Sequence, residues 1–585
     1  FKRFAAITSA SLLAACAVMP AITSAADITI NGWNTSTNND AGTHSLEAYQ
    51  IFKGDMDDSG KILTDVDFGE GVNGAKLSEE LVKASTKDGH VLNGLFPQKA
   101  DGGVNRNYTA KEIVEVLSRT MDVNGTSKAV FGNDDDTTQA FAAIVAGCVV
   151  TDKAIPSSDD GKKFTGLDEG YYLIQDSENS PSGGENNDGA VTRYILQLTE
   201  DGASINIKAS APTVVKKVEE NTDVTDYTYK DKDGGNVIDN NYNDIADYNI
   251  GDPVSFKLYG TLPSTYEDYN AYYYCFTDTL GKEFDAPDVS DIKVYVDGTE
   301  VTNAEGNLRV KVTPEKDADE NVTQTTIKIS FEDIKKIAPN EKSVITVEYD
   351  AVLNKNAVIG LNGQENKVKL TYSNNPNVDY DYDITDNTED EDDNTGDTKE
   401  DRVIVFTYEL DITKYLDDDK TENLEKNGLA GFKLYNEAGK AAVIVDGKIN
   451  SWVTESPESG SVENGDYVAA VNGTQIFTGT DGKVKFVGLD AGIYTLKETT
   501  TPDQYNTMDD LEIEIVATMA EERQGWETTA DAALIELDLK SGDEILDGED
   551  ANDKNTNGIL EHGIVNEKGT SLPGTGGIGT TIFYL

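Results

Sequence analysis

Between Pro212 and Tyr382, apolar and polar residues change places at nearly every step, in short runs divided by turn residues: PVSFKLYG, YYYCFTDTL, DIKVYVDG, NLRVKVT, TTIKISF, SVITVEYDAVL and NKVKLTY. Successive side chains on a strand point to opposite faces, so each run offers one apolar face to a core. Strands of this length, spaced this closely by turns, predict a β-sandwich over 211–385. From Val403 to Asn566 a second series follows: VIVFTYELDITKYL, GLAGFKLYN, AAVIVDG, KVKFVGL, GIYTLKE, LEIEIVA and AALIELDL. It predicts another β-sandwich over 402–570. The chain is therefore expected to be mainly β, with sandwiches in tandem.

Residues 27–210 read differently. Strand-like Ile28–Ile30, Ala48–Phe52 and Tyr171–Ile174 alternate with stretches of helical spacing at Ala75–Ser85, Thr109–Arg119 and Thr137–Val150, the last two opened by Thr in cap positions. A mixed first domain with some helix is expected, ending where INIKASAP, Ile205–Pro212, interrupts two strand patterns. The acidic stretch at 386–401, with TEDEDDNTGDTKED at its heart, self-repels and reads as a linker that packs against nothing.

Lys and Arg number 49 against 107 Asp and Glu in 585 residues, a net charge of −58. That excludes nucleic acid and anionic membranes as general partners and fits a solvated extracellular surface. Phe1-Lys2-Arg3, the apolar Phe4–Ile22 and the small Ser24-Ala25-Ala26 read as a secretory signal peptide over 1–26. Leu13-Ala14-Ala15-Cys16 within it also fits a lipobox, a role that a wall-sorting signal makes redundant. Of the three cysteines only Cys148 and Cys275 then remain, on different domains, so a disulfide is not expected to supply the toughness of a secreted protein.

The last fifteen residues, 571–585, read SLPGTGGIGTTIFYL. Leu572-Pro573-Gly574-Thr575-Gly576 has the form LPxTG and resembles the sorting signal that Gram-positive surface proteins present to sortase transpeptidases. Pro573 fixes its own φ and biases Leu572 towards an extended form, so the pentapeptide is a preshaped ligand. The apolar span and basic tail that follow such signals are not in the sequence, and Phe1 is not Met, which together suggest a fragment cut at both ends. Gly574-x-Gly576-x-x-Gly579 matches a dinucleotide fingerprint but follows no strand and opens no helix. AYQIFKGD resembles the start of the N-terminal domain of Gram-positive fimbrial shaft proteins. The series from Pro212 resembles the isopeptide-forming fimbrial domain, and Leu429–Tyr435 with Gly488–Glu498 resembles a CnaB-type domain. Asp55-x-Asp57-x-Ser59-Gly60 and Asp553-x-Asn555-x-Asn557-Gly558 imitate calcium loops, with Val66 and Ile564 where the bidentate Glu belongs, so polar turns are expected.

The resemblance implies an intramolecular amide between a Lys on the first strand and an Asn on the last, assisted by a buried acid. Burial disfavours the ammonium and leaves a nucleophilic amine, while it keeps the acid protonated to polarise the carboxamide. In the last domain the implied set is Lys414 of DITK, Glu498 of LKE and Asn566 of IVN. In the middle domain it is Lys216 of PTVVKKV, Asp278 of FTDTL and Asn366 of NKVKLTY, with Asn374 and Asn375 as rivals; alternation turns Lys217 to the other face.

In sortase chemistry an enzyme cysteine attacks the Thr carbonyl, and an amine then resolves the thioester. Thr575 would so be joined to Lys208 of a second subunit, with Lys217 and Lys216 as alternative acceptors; the Tyr-Pro-Lys usual at that place is missing. His44, His90 and His562 are far apart and expected at surface or turn positions, and no zinc spacing or cofactor motif occurs. The chain is expected not to be an enzyme and to need no metal or cofactor. The implied role is the shaft subunit of a surface pilus on a Gram-positive wall, with sortases, identical subunits and peptidoglycan as partners. The other reading is a monomeric wall-anchored adhesin whose first domain binds a host-surface ligand.

Overall fold

The structure is a computed structural model that describes residues 26–570 except 32–42, 57–62, 124–125, 133–135, 159–161, 178–179, 181–188, 207–208, 221–225, 303–307, 361, 379–393, 417–429, 457–460, 464–465, 469–470, 480, 521–532 and 548–556. Signal-peptide residues 1–25, Lys208, the LPxTG motif with its glycine fingerprint, and most of both calcium-loop imitations lie outside the described residues, whereas Ala26, expected as the last signal-peptide residue, is buried and opens a strand.

Strands dominate, in tandem sandwiches, and the α-helices among the described residues sit in the first unit. There Ala26–Asn31 lies between Ala203–Asn206, which runs parallel to it, and Lys163–Leu167, which runs antiparallel. A second sheet orders Arg193–Leu198, Gly170–Asp176, Leu46–Met56 and Leu63–Phe68. Helices α1 (Gly74–Thr86), α2 (Ala110–Leu117) and α3 (Asp136–Ala146) cover it. They bury Leu77, Leu81, Ile113 and Phe141 with Ile51, Phe52 and Leu173 of the sheet.

Thr109 caps α2 as expected, in a full capping box with Glu112. Thr137 does not open α3. It lies inside the first turn and donates its hydroxyl to the Val130 carbonyl at 2.6 Å, and the helix stops at Ala146, where Gly147 follows, instead of reaching Val150.

The middle unit is a sandwich of two seven-stranded sheets. One carries Val214–Glu219, Pro253–Gly260 and Ile345–Leu353 side by side. The other carries Asp401–Phe406, Gln364–Ser373, Tyr274–Gly281 and Val322–Phe331. Two expectations are corrected here. Thr395–Asp397 does not belong to an unpacked linker: it pairs with the end of Gln364–Ser373, and Lys369 meets the Asp397 carboxylate at 2.7 Å. Asp401–Phe406, placed by its pattern at the boundary of the last domain, is a strand of the middle sheet.

The run VIVFTYELDITKYL is consequently two strands, broken at buried Thr407. Val403 and Val405 enter the core of the middle unit while Ile404 and Phe406 enter that of the last. A strand buried on both faces reads as continuously apolar, which hides the change of sheet.

In the last unit Tyr408–Tyr415 lies between Lys483–Leu489 and Ile559–Val565, and its pairing with the latter is parallel. The facing sheet runs from Lys448–Val453 through Gly431–Asn436, Gly492–Thr500 and Leu511–Met519 to Glu544–Asp547. The two sandwiches meet tightly: a Cβ on Gly251, at φ +94°, would lie 2.0 Å from the Asn450 carbonyl oxygen, and one on Gly360, at φ +88°, 2.0 Å from that of Asn557.

Candidate functional site: a lysine, an acid and an asparagine in each sandwich

In the middle unit the alternation of Val214–Glu219 turns Val214, Lys216 and Val218 inward, and Lys216 faces Leu258 across its sheet. Asp278 and Asn366 project from the opposite sheet, from strands paired with each other. Lys216, Asp278 and Asn366 are all 0% exposed. The Lys216 ammonium group contacts the Asp278 carboxylate directly and lies over the rings of Phe256 and Tyr349, 5.0 and 5.3 Å from their centroids. The sequence-derived trio therefore converges inside one core.

Burial pushes the Lys216 amine below its ordinary value, against the pull of Asp278, and burial pushes the Asp278 carboxyl up, against Lys216. Each shift favours the neutral form. The Asn366 Oδ1 has no hydrogen-bond partner among the described residues. A buried carbonyl oxygen without a donor costs about 1–3 kcal/mol.

Two members of this site were not legible in the sequence. The Tyr349 hydroxyl lies 2.9 Å from the Lys216 Nζ, 3.0 Å from the Asp278 Oδ1 and 2.9 Å from the Asn366 Nδ2. Asp401, which the sequence assigns to the linker, accepts the Lys216 backbone N–H at 2.6 Å. The available signal for Tyr349 was its inward place in a strand whose other inward residues, among them Val347, Ala351 and Leu353, lack a polar side chain. Asn366 is not on the final strand of its unit, because Thr395–Asp397 and Asp401–Phe406 follow it in the same sheet. Of the rivals, the Asn375 side chain turns elsewhere, donating to the Asn394 Oδ1 at 3.1 Å, while Asn374 is buried and its Oδ1, like that of Asn366, has no hydrogen-bond partner among the described residues. Lys217 points to the opposite face, where it meets Asp244 and the Tyr227 ring.

The last unit repeats the arrangement with different neighbours. Lys414 and Ile564 are register partners on adjacent parallel strands, and Asn566 follows directly after the second. Glu498 reaches across from Gly492–Thr500, a strand that continues two residues beyond it. The Lys414 Nζ is 3.5 Å from the Glu498 Oε1, and the Asn566 Nδ2 donates to both Glu498 oxygens at 3.0 and 3.2 Å. Glu498 also accepts the Met508 N–H at 2.9 Å, which fixes its orientation. Burial again pushes the lysine down, with Glu498 opposing. The Asn566 Oδ1 lacks a partner among the described residues, as in the middle unit.

Elsewhere, His44 corrects the expectation of a surface or turn residue. It is buried, with its Nδ1 2.8 Å from the Asp176 Oδ1, and ties the start of one strand to the end of its neighbour. His90 and His562 are half-buried and apart. Cys148 and Cys275 are buried free thiols. Among the described residues no group of three or more His, Cys, Asp and Glu is arranged to hold a metal ion.

Residues 250–376 match the family described as Gram-positive pilin backbone subunit 2, Cna-B-like domain, and residues 409–529 match the prealbumin-like fold domain. The chain is 27% identical over 271 residues to the trypsin-resistant surface T6 protein of Streptococcus pyogenes serotype M6, a match covering 43% of this chain and 46% of the relative. It thus spans about half the length of that curated relative. Among solved structures, the T6 backbone pilin of the same serotype aligns with 94% of this chain and 100% of its own, at 16% identity and a TM-score of 0.47. A full-length major pilin of Corynebacterium diphtheriae aligns with 93% of this chain and 98% of its own, at 14% identity and a TM-score of 0.43. The middle sandwich is thus similar, over residues 250–376, to the Gram-positive pilin backbone domain family, and the last, over residues 409–529, to the prealbumin-like fold family.

Proposed function

We propose that this chain is the shaft subunit of a covalently polymerised pilus on a Gram-positive surface, and that each of its two sandwiches closes a Lys–Asn amide inside its own core. The observation that carries this reading is the repetition of one constellation. Lysine, acid and asparagine are buried together at Lys216, Asp278 and Asn366, and again at Lys414, Glu498 and Asn566.

The geometry supports nucleophilic attack by each lysine on its asparagine. A desolvated amine is a competent nucleophile at neutral pH. Its Nζ forms a bond to the asparagine Cγ, the Cγ–Nδ2 bond breaks, and ammonia leaves. In the last unit the bond joins two parallel neighbours, the first and last strands of the sandwich, so tension along the chain would pass through a covalent bridge instead of peeling the strands apart. Closing a loop of about 150 residues is worth about 5 kcal/mol by the chain-entropy estimate used for disulfides.

Between subunits, a sortase would cleave after Thr575 and transfer it to Lys208 of the next copy, with Lys217 and Lys216 as alternatives. The burial of Lys216 and its place in the core constellation argue against it as an acceptor. The final subunit would be passed to peptidoglycan. Boiling wall extracts in detergent tests this reading. A shaft subunit gives a ladder of polymers, and digestion of the ladder gives a branched peptide joining Thr575 to Lys208. A single band at the monomer position contradicts the shaft and leaves a wall-anchored adhesin.

A further inference from the structure

The two constellations differ in how the acid reaches the leaving nitrogen. In the last unit Glu498 accepts directly from the Asn566 Nδ2. In the middle unit the Asn366 Nδ2 donates to the Tyr349 hydroxyl, and that hydroxyl in turn bonds the Asp278 Oδ1. The same oxygen receives the Lys216 Nζ, so one phenol touches the nucleophile, the acid and the leaving group. The counterpart aromatic ring by Lys414 is Phe432, which has no hydroxyl.

We propose that Tyr349 is a catalytic residue of the middle unit, relaying a proton from Asp278 to the departing Asn366 nitrogen. This rests on the Lys–Asn reading above. As the Lys216 Nζ bonds to the Asn366 Cγ, the amine gives one proton to the Asp278 Oδ2. The proton on the Asp278 Oδ1 passes to the Tyr349 oxygen, and the Tyr349 proton passes to Nδ2. The Cγ–Nδ2 bond then breaks and ammonia leaves. Asp278 and Tyr349 each lose one proton and gain one, so both end as they began, and no oxidant or other reactant is needed.

Position supports the role. Tyr349 faces Phe256 across its sheet, ring centroids 5.4 Å apart, and Phe256 also underlies Lys216. The phenol is thus clamped from its own sheet while its hydroxyl crosses to the opposite one, where Asp278 and Asn366 stand on paired strands. Burial pushes the phenol well above its ordinary value, which keeps the proton on Tyr349 until the nitrogen becomes basic.

The test follows ammonia loss with time in newly made full-length chain, by mapping the Lys216–Asn366 and Lys414–Asn566 cross-linked peptides in the same sample. Tyr349→Phe keeps the ring and removes the hydroxyl. It should slow the Lys216–Asn366 junction by about 100-fold and leave the Lys414–Asn566 junction at its normal rate. A middle junction that forms at the wild-type rate overturns the relay while leaving the Lys–Asn reading intact. A wild-type chain that never forms the Lys216–Asn366 junction overturns both. The unmodified chain supplies a second measurement that does not depend on the variant folding. In deuterium oxide the middle junction should slow by a larger factor than the last, because an additional proton is in transfer, and equal factors overturn the relay.

Discussion

The Asp401 carboxylate accepts the backbone N–H of Lys216 at 2.6 Å, across 185 residues of sequence. It links the strand that bears the nucleophile to the strand that leads into the last sandwich, and its negative charge also opposes the loss of the Lys216 proton. Asp401→Ala would leave a buried N–H without its acceptor, which costs about 1–3 kcal/mol. In a Lys216→Ala background, where no middle amide can form, the denaturant midpoint of the middle unit should fall accordingly; an unchanged midpoint shows that the contact is not a support of the sandwich.

The rate of the middle reaction should be bell-shaped in pH. Attack needs neutral Lys216, so the rate falls as acid protonates the amine below its lowered value, itself below 10.5. Proton delivery needs protonated Asp278, so the rate also falls as base ionises the carboxyl above its raised value, itself above 3.8. Both groups interact, so the limbs report the pair. Ammonia release by fresh chain across pH measures this, and a rate that climbs steadily to high pH contradicts the assisting-acid role.

Glu498→Gln retains the shape of the side chain and removes its acid. The last unit should then keep its full sequence mass while the middle unit still loses one ammonia, about 17 Da. Peptide mapping of the two units separates them. The uncross-linked last unit should also lose the stabilisation of loop closure, about 5 kcal/mol, and unfold at lower denaturant. Formation of the Lys414–Asn566 junction in this variant would remove Glu498 from the chemistry.

Much of this was legible in the sequence because period-two patterns are local. Lys216 and Lys414 occupy inward places among apolar residues, and alternation alone separates Lys216 from Lys217. The chain path between Asn366 and the last domain was not legible. An acidic composition says that a segment repels itself, but it does not forbid a short strand such as Thr395–Asp397 when a neighbouring edge offers hydrogen bonds and Lys369 offers a charge. The division of VIVFTYEL between two sheets was hidden because both faces of its first half are buried. Tyr349 was missed because tyrosine is common in strands, and only partners from distant strands, Lys216 in its own sheet and Asp278 and Asn366 in the opposite one, give its hydroxyl a purpose. His44 was misjudged for a similar reason: its partner, Asp176, is 132 residues away.

The contact between the sandwiches depends on Gly251. Alanine there would pay for a left-handed backbone, about 1–2 kcal/mol, and its Cβ would strike the Asn450 carbonyl oxygen. Gly251→Ala should increase amide hydrogen exchange in Lys448–Val453 and leave both cross-links intact. Unchanged exchange in that strand means that the two units do not rest on each other there.

The central claim, that both cores make a covalent bond, is tested most directly by the intact mass of the full chain set against the mass of its own sequence. The account predicts a deficit of about 34 Da, two ammonias, which disappears in the Lys216→Ala, Lys414→Ala double variant. A wild-type mass equal to that of the sequence contradicts it.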